Sequence, residues 1–351
     1  MLYNEHVDYP PDKIHKQSSQ TREVWLDCCR VICIFSIIYG HAVEPLKLSS
    51  SSPWTGLIMG PFFDASAPCT VVLLYFFLSG WLQKVREKYL AWKHFFFLII
   101  PLLLWNIVQI ALTWHSDIHT FSKAITEIGI WPTFHNANYP LWFLDELAWL
   151  SLFLPIIHRL SLKIRALFII IALWAGNLYW PESWWIPKEA NTLSFFLMGT
   201  MLHSVKMDNI RQFFMDYAWL PTFLILAYLT HGLILPCHFS LPHMHISPLY
   251  SVTGCICILS YGATIQRFFP RLANRIASYA PAVFFMYAAH IPAFTLYSIL
   301  AKQFGIPELP PIYHPLYTLL FCITSIIIFK AALKIGNIQL LSWVFLYKMK
   351  R

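Results

Sequence analysis

The stretch Val24-Trp25-Leu26-Asp27-Cys28-Cys29-Arg30-Val31-Ile32-Cys33-Ile34-Phe35-Ser36-Ile37-Ile38-Tyr39-Gly40-His41-Ala42-Val43 decides what kind of molecule this is. As a helix it is long enough to cross a hydrocarbon core of roughly 30 Å, yet it carries Asp27, Arg30 and His41. An ionised side chain at that depth costs roughly 2.5–3.5 kcal/mol on insertion scales, so each one asks for a partner or a task. At 100° per residue the three project at about 0°, 300° and 320°, on one face within about a 60° arc. Two readings fit those residues: a shared functional face, or a local Asp27–Arg30 pair at i,i+3 with His41 resting at the interface.

The rest of the chain has the same character. Of 351 residues, 58% are hydrophobic and only 12% charged, with a mean hydropathy of +0.55. Soluble domains run at roughly 45–50% apolar and about 25% charged, so a soluble domain, a disordered chain and a disulfide scaffold are all excluded. The expected fold is all-α: a polytopic helical membrane bundle. Further apolar runs occur near Ala67–Gln83, Phe95–Trp114, Leu141–Ile157, Ala166–Trp180, Asn191–His203, Ala218–Leu235, Ser247–Ala263, Pro281–Leu300 and Leu316–Leu333, which makes about ten transmembrane helices. Ile338–Tyr347 is too short to span and reads as interfacial. The runs are continuous and do not alternate, which disfavours barrel strands.

Charge placement orients the bundle. With both termini cytoplasmic, 19 of the 25 Lys and Arg residues fall on the inner side and 4 in outer loops, while Arg30 and Lys330 lie within spans. The expected organisation is a cytoplasmic N-terminal tail (1–23), a transmembrane domain (24–333) and a basic cytoplasmic C-terminal tail (334–351). The tail has no cleavage site before the first span, so that span is read as retained. Net charge is +8, but in this setting it reports orientation and implies no nucleic acid. The eight cysteines sit mostly inside apolar runs and read as small hydrophobes.

Five stretches carry a resemblance. Arg30-x10-His41 within Trp25-Leu26-Asp27 to Gly40-His41, Phe76-Phe77-Leu78-Ser79-Gly80-Trp81 and Pro140-Leu141-Trp142-Phe143-Leu144 come first. Phe195-Phe196-Leu197-Met198-Gly199 follows, then Ser278 to Tyr287-Ala288-Ala289-His290-Ile291-Pro292. In this order the chain resembles the acyltransferase-3 family of integral membrane O-acyltransferases. The resemblance implies an acyl-CoA-dependent enzyme that moves an acyl group, usually acetyl, to a hydroxyl of a carbohydrate or lipid-linked glycan. It implies acetyl-CoA as co-substrate, a bacterial cytoplasmic (inner) membrane location, and Arg30 and His41 as the essential pair. One departure stands out: where the family has two basic residues before the third-span proline, Lys93 is followed by apolar Phe96 and Leu98 ahead of Pro101.

The chemistry assigns roles within that frame. A sugar hydroxyl needs a base, and a histidine near pKa 6.5 suits neutral pH, so His41 is the expected general base. Direct transfer is preferred, because a thioester is already activated; an acyl-histidine intermediate stays open. Arg30 cannot act as a base but its fork can hold a carbonyl, carboxylate or phosphate, with Asp27 orienting it. Ser79, a backbone N–H or an arginine is a candidate oxyanion donor. His290, near mid-span, is either a second catalytic histidine or a satisfied packing residue. For the phosphates of CoA the candidates are Arg30, Lys93, Arg267, Arg271 and Arg275, although positive-inside anchoring explains any one loop residue as well.

Metal binding is not expected: His115 and His119, and the group Cys237, His238, His243 and His245, match no zinc spacing. The tryptophans Trp131, Trp142, Trp149, Trp180, Trp184 and Trp185 read first as an interface belt. Two rival classes remain on the sequence: a small-molecule transporter, which has similar spans but commonly shows pseudo-symmetric broken helices, and a non-catalytic assembly partner.

Overall fold

The computed structural model describes residues 23–49, 66–82, 88–114, 138–177, 186–217, 219, 248–305 and 314–335. The expected span Ala218–Leu235 apart from Trp219, most of both tails, and the histidines at 115, 119, 238, 243 and 245 lie outside them. Among the described residues every regular element is helical. In chain order these are α1 (Val24–Ser49), α2 (Ser66–Leu82), α3 (Lys88–Thr113), α4 (Trp142–Arg159), α5 (Leu162–Asn177) and α6 (Ile186–Met201). Then follow α7 (Met207–Asp216), α8 (Pro248–Phe268), α9 (Pro270–Ala277), α10 (Val283–Gln303) and α11 (His314–Ile335).

Helix α1 lies at the centre, packed by α2, α8, α9, α10 and α11. Helices α2, α4, α5 and α6 form one flank, and α3 bridges α4 to α10. Trp25, Phe76, Phe195, Phe196 and Tyr287 are the largest side chains wholly withdrawn from the surface. The outer faces are apolar instead of charged: on α5, Leu167, Phe168, Ile170 (64% exposed) and Trp174 (65%) all point outward. Such a face suits a lipid environment, since in water it would exceed what a monomeric soluble protein usually leaves uncovered. By length and composition, Trp92–Thr113 and the run Pro270–Gln303 are able to cross a membrane, and Val71–Leu82 and Leu319–Ile328 are shorter apolar helices.

Two of the five quoted stretches turn out to be one packing device. A Cβ on Gly80 would run into the backbone carbonyl of Phe196, and a Cβ on Gly199 into that of Phe77. Each glycine lets the other's helix approach at backbone distance, as small residues do where membrane helices cross. Gly262 does the same for α8 against α1, facing Trp25 and Cys29.

Two short helices occupy stretches between the expected spans. Helix α7 buries Ile210 and Phe214, the latter 6.1 Å from the Trp25 ring, while Arg211 pairs with Asp208 at 2.7 Å. Helix α9 buries Ala273 and Ala277 against Cys28, whose thiol donates to the Ala273 carbonyl at 3.2 Å. Both are amphipathic over too few residues to register as spans, which is why an apolar-run scan passes over them. They close the bundle around the N-terminal end of α1. There the Trp25 N–H, lacking an intrahelical acceptor, donates to Gln266 Oε1 at 3.0 Å. Cys28, Cys29, Cys33, Cys255, Cys257 and Cys322 are buried thiols outside any disulfide, in line with their reading as small hydrophobes.

Candidate active site

Helices α1 and α10 run side by side in the same direction. Cys28 meets Ala277 near the start of that path, and each histidine lies thirteen residues further on. The consequence is contact: the His41 and His290 rings stack at 5.3 Å between centroids, with 25° between their planes. His41 is half-buried, and His290 is 0% exposed.

The state of His290 follows from its partner. Its Nδ1 lies against the carbonyl oxygen of Tyr287. A carbonyl only accepts, so Nδ1 carries the hydrogen and the Nε2 lone pair is left over. That Nε2 is buried with no hydrogen-bond partner among the described residues. Tyr287 and Phe294 wall the ring, at 5.7 and 5.8 Å.

Several polar groups hold this part of α10. Pro292 has no N–H, so the carbonyl of Ala288, four residues back, loses its usual helical donor. Asn138 replaces it: its side-chain amide donates to the Ala288 carbonyl at 2.8 Å. Asn138 is itself fixed by its backbone N–H, which donates to Asn106 Oδ1 at 2.9 Å. The Tyr287 hydroxyl donates to the Pro140 carbonyl, and Gln109 on α3 donates to Thr295 Oγ1 at 3.0 Å. The Pro140–Leu144 stretch therefore starts α4 by docking its first turn onto α10, one turn from His290.

Arg30 lies elsewhere. Its Nη1 pairs with Asp27 Oδ1 at 2.8 Å, so the i,i+3 pair exists, and 37% of its side chain is exposed. Eleven residues of helix place it about 16 Å along the axis from His41. The Tyr75 hydroxyl donates to the Arg30 carbonyl at 2.9 Å, and Trp81 meets Trp25 at 6.2 Å, so α2 runs antiparallel to α1. Ser79 therefore lies a turn beyond Tyr75, away from His41 and beside the Gly80 crossing; the structure does not bring it to the histidines.

The expected donor-binding cations divide. Arg267 is half-exposed, 4.0 Å from Asp216 and 5.4 Å from the Phe268 ring centroid. Arg271 and Arg275 lie on the exposed side of α9, so all three gather at the Arg30 end of the bundle. Lys93 is exposed near the start of α3, whose partners are α4 and α10. Lys330 sits over the Tyr279 ring at 5.2 Å, a cation–π contact for one of the two basic residues expected within spans.

Sequence reasoning missed Asn106, Gln109 and Asn138, all at most 5% exposed, and the buried carboxylates Asp145 and Glu146 of α4. For Asn106, Gln109, Asp145 and Glu146 the available signal is a polar residue inside an apolar run; Asn138 precedes its run and carries no such signal. Among the described residues no three His, Cys, Asp or Glu side chains converge as metal ligands do.

The order of the five stretches thus coincides with a bundle in which the first and late motifs meet at His41 and His290. A family model described as an acyltransferase domain matches residues 23–330. No curated protein and no solved structure matches the chain. Since that match runs from the residue before α1 to Lys330 in α11, the chain belongs to the acyltransferase-3 family of membrane acyltransferases.

Proposed function

We propose that the protein is an O-acyltransferase of the bacterial cytoplasmic membrane with about ten transmembrane helices. It moves an acyl group, acetyl by preference, from cytoplasmic acyl-CoA to a hydroxyl of an envelope carbohydrate or lipid-linked glycan. The observation that carries this reading is the His41–His290 stack, an imidazole pair inside the helical bundle with the Nε2 of His290 unpartnered among the described residues.

In this reading half-buried His41 is the general base. It takes the proton of the acceptor hydroxyl as the oxygen attacks the thioester carbonyl; the C–S bond then breaks and the CoA thiolate leaves. His290, immobilised by Tyr287, Phe294 and the Asn138 contact to its helix, buttresses the His41 ring and limits the poses open to it. Arg30, oriented by Asp27, holds the donor nearer the cytoplasm, and the extended pantetheine arm of CoA covers the stretch of α1 between them.

The test is incubation of the purified chain with labelled acetyl-CoA and envelope glycan fractions, followed by mass spectrometry of the glycans. Label on a glycan hydroxyl is the expected result. Uptake of solute into vesicles with no transfer to any fraction would instead identify a carrier. Orientation has its own check: a reporter after Arg351 should be cytoplasmic and one at Ser50 external.

A further inference from the structure

We propose that Arg165, with His158 and His203 beside it, forms a binding site for a phosphate group at the end of the bundle where α4 stops, α5 starts and α6 stops. We further infer that the phosphates of the acyl-CoA donor occupy it, an assignment that rests on the donor reading above. Neither the motifs nor the family match singles out these residues.

Arg165 opens α5 but is only 9% exposed. Its Nη1 donates to the Thr200 carbonyl at 3.0 Å and reaches the Thr200 hydroxyl at 3.4 Å. That carbonyl belongs to the last turn of α6, where carbonyls lack intrahelical donors, so the contact is a C-terminal cap. A helix end offers about half an elementary charge, spread over its final turn. The guanidinium carries a whole one. No carboxylate lies within ion-pairing distance of Arg165 among the described residues, and its Nε is buried with no hydrogen-bond partner. Because the cap occupies Nη1, the Nε edge remains, and that edge is the fork that meets two oxygens of one phosphate. Buried cations are ordinarily paired, and this one is compensated only in part.

The two histidines complete the site. Their rings meet edge to face at 4.9 Å. His203 is pinned, because its Nδ1–H donates to the Trp81 carbonyl at 3.2 Å. His158 follows the apolar run of α4, and its buried Nε2 has no partner among the described residues. Burial first, then His203 and Arg165, holds His158 below the usual histidine range, so the permanent charge of the group is that of Arg165. Trp81 links this site to the donor path: its ring lies 6.2 Å from that of Trp25, five residues before Arg30. Arg165 and Arg30 are thus at the same end of the bundle, the end where charge placement puts the cytoplasm.

The experiment uses the full chain in phosphatidylcholine nanodiscs and titrates acetyl-CoA and inorganic pyrophosphate. Wild type is expected to bind acetyl-CoA, with pyrophosphate competing, and Arg165→Gln to weaken both by about tenfold or more. A folded Arg165→Gln that binds both within about twofold of wild type overturns the site. If that variant does not fold, wild type is photolabelled with 8-azido-acetyl-CoA, whose reactive adenine neighbours a phosphate. Adducts within 158–165 or 200–206 support the proposal, and adducts confined to other segments overturn it. Nanodiscs containing phosphatidic acid separate the sources. If the lipid displaces pyrophosphate and acetyl-CoA does not, the phosphate site stands and the donor assignment falls. Arg165-dependent pyrophosphate binding with no acetyl-CoA binding by wild type likewise keeps the site while refuting the donor reading.

Discussion

His41 and His290 come from the first and the tenth described helix, and their rings stack 5.3 Å apart. Stacking leaves His41 half-buried while His290 is shut away, so the proposed proton transfer falls to His41 and the supporting role to His290.

Substitution should expose that inequality. His41→Ala is expected to lower acyl transfer by about 10²–10⁴ with normal protein abundance, since a half-buried ring leaves little void. His290→Ala should lower transfer and also cost about 1–3 kcal/mol, because a fully buried ring leaves a cavity. Turnover and thermal unfolding of both purified variants measure this. Equal stability losses in the two would contradict the assignment.

Asn138 and Pro292 should be energetically coupled. Asn138→Ala strips the Ala288 carbonyl of its donor, at a cost of about 1–3 kcal/mol. Pro292→Ala returns a backbone N–H that can reach the same carbonyl. The double variant should therefore be less destabilised than the two single effects added together, which a double-mutant cycle of unfolding free energies reads directly.

Gly80→Ala and Gly199→Ala should both prevent normal accumulation, because the added methyl meets the backbone carbonyls of Phe196 and Phe77, which cannot rotate away. A loss of about 1–3 kcal/mol or more is expected for each. Gly305 is the control: it has φ of 60° but open space around it, so Gly305→Ala should cost only about 1–2 kcal/mol of backbone strain. Membrane-fraction abundance and melting temperature check the order.

Arg30→Lys should not restore activity although it keeps the charge. A lysine cannot hold Asp27 and present a planar fork to the donor at once, and a loss of about tenfold or more in transfer is expected at normal abundance. Near-normal turnover would show that charge alone matters at that position.

The apolar runs, the i,i+3 pair of Asp27 with Arg30, and the concentration of basic residues in alternate segments between runs were all legible in the chain. Each is a local property: run length and helical period follow from consecutive residues, and the charge bias from counting between runs. The amphipathic helices α7 and α9 escaped because a ten-residue and an eight-residue helix carry too short a pattern to stand out from a loop. What His290 touches, what Gly80 and Gly199 are for, and why Ser79 is not at the histidines were decided only by the tertiary structure. Apolar helices in lipid carry no strong pattern stating which neighbour they face, and the choice falls to close packing and to a few polar contacts such as Asn138 to Ala288. Those contacts join residues far apart in the chain, where helical periodicity has nothing to say.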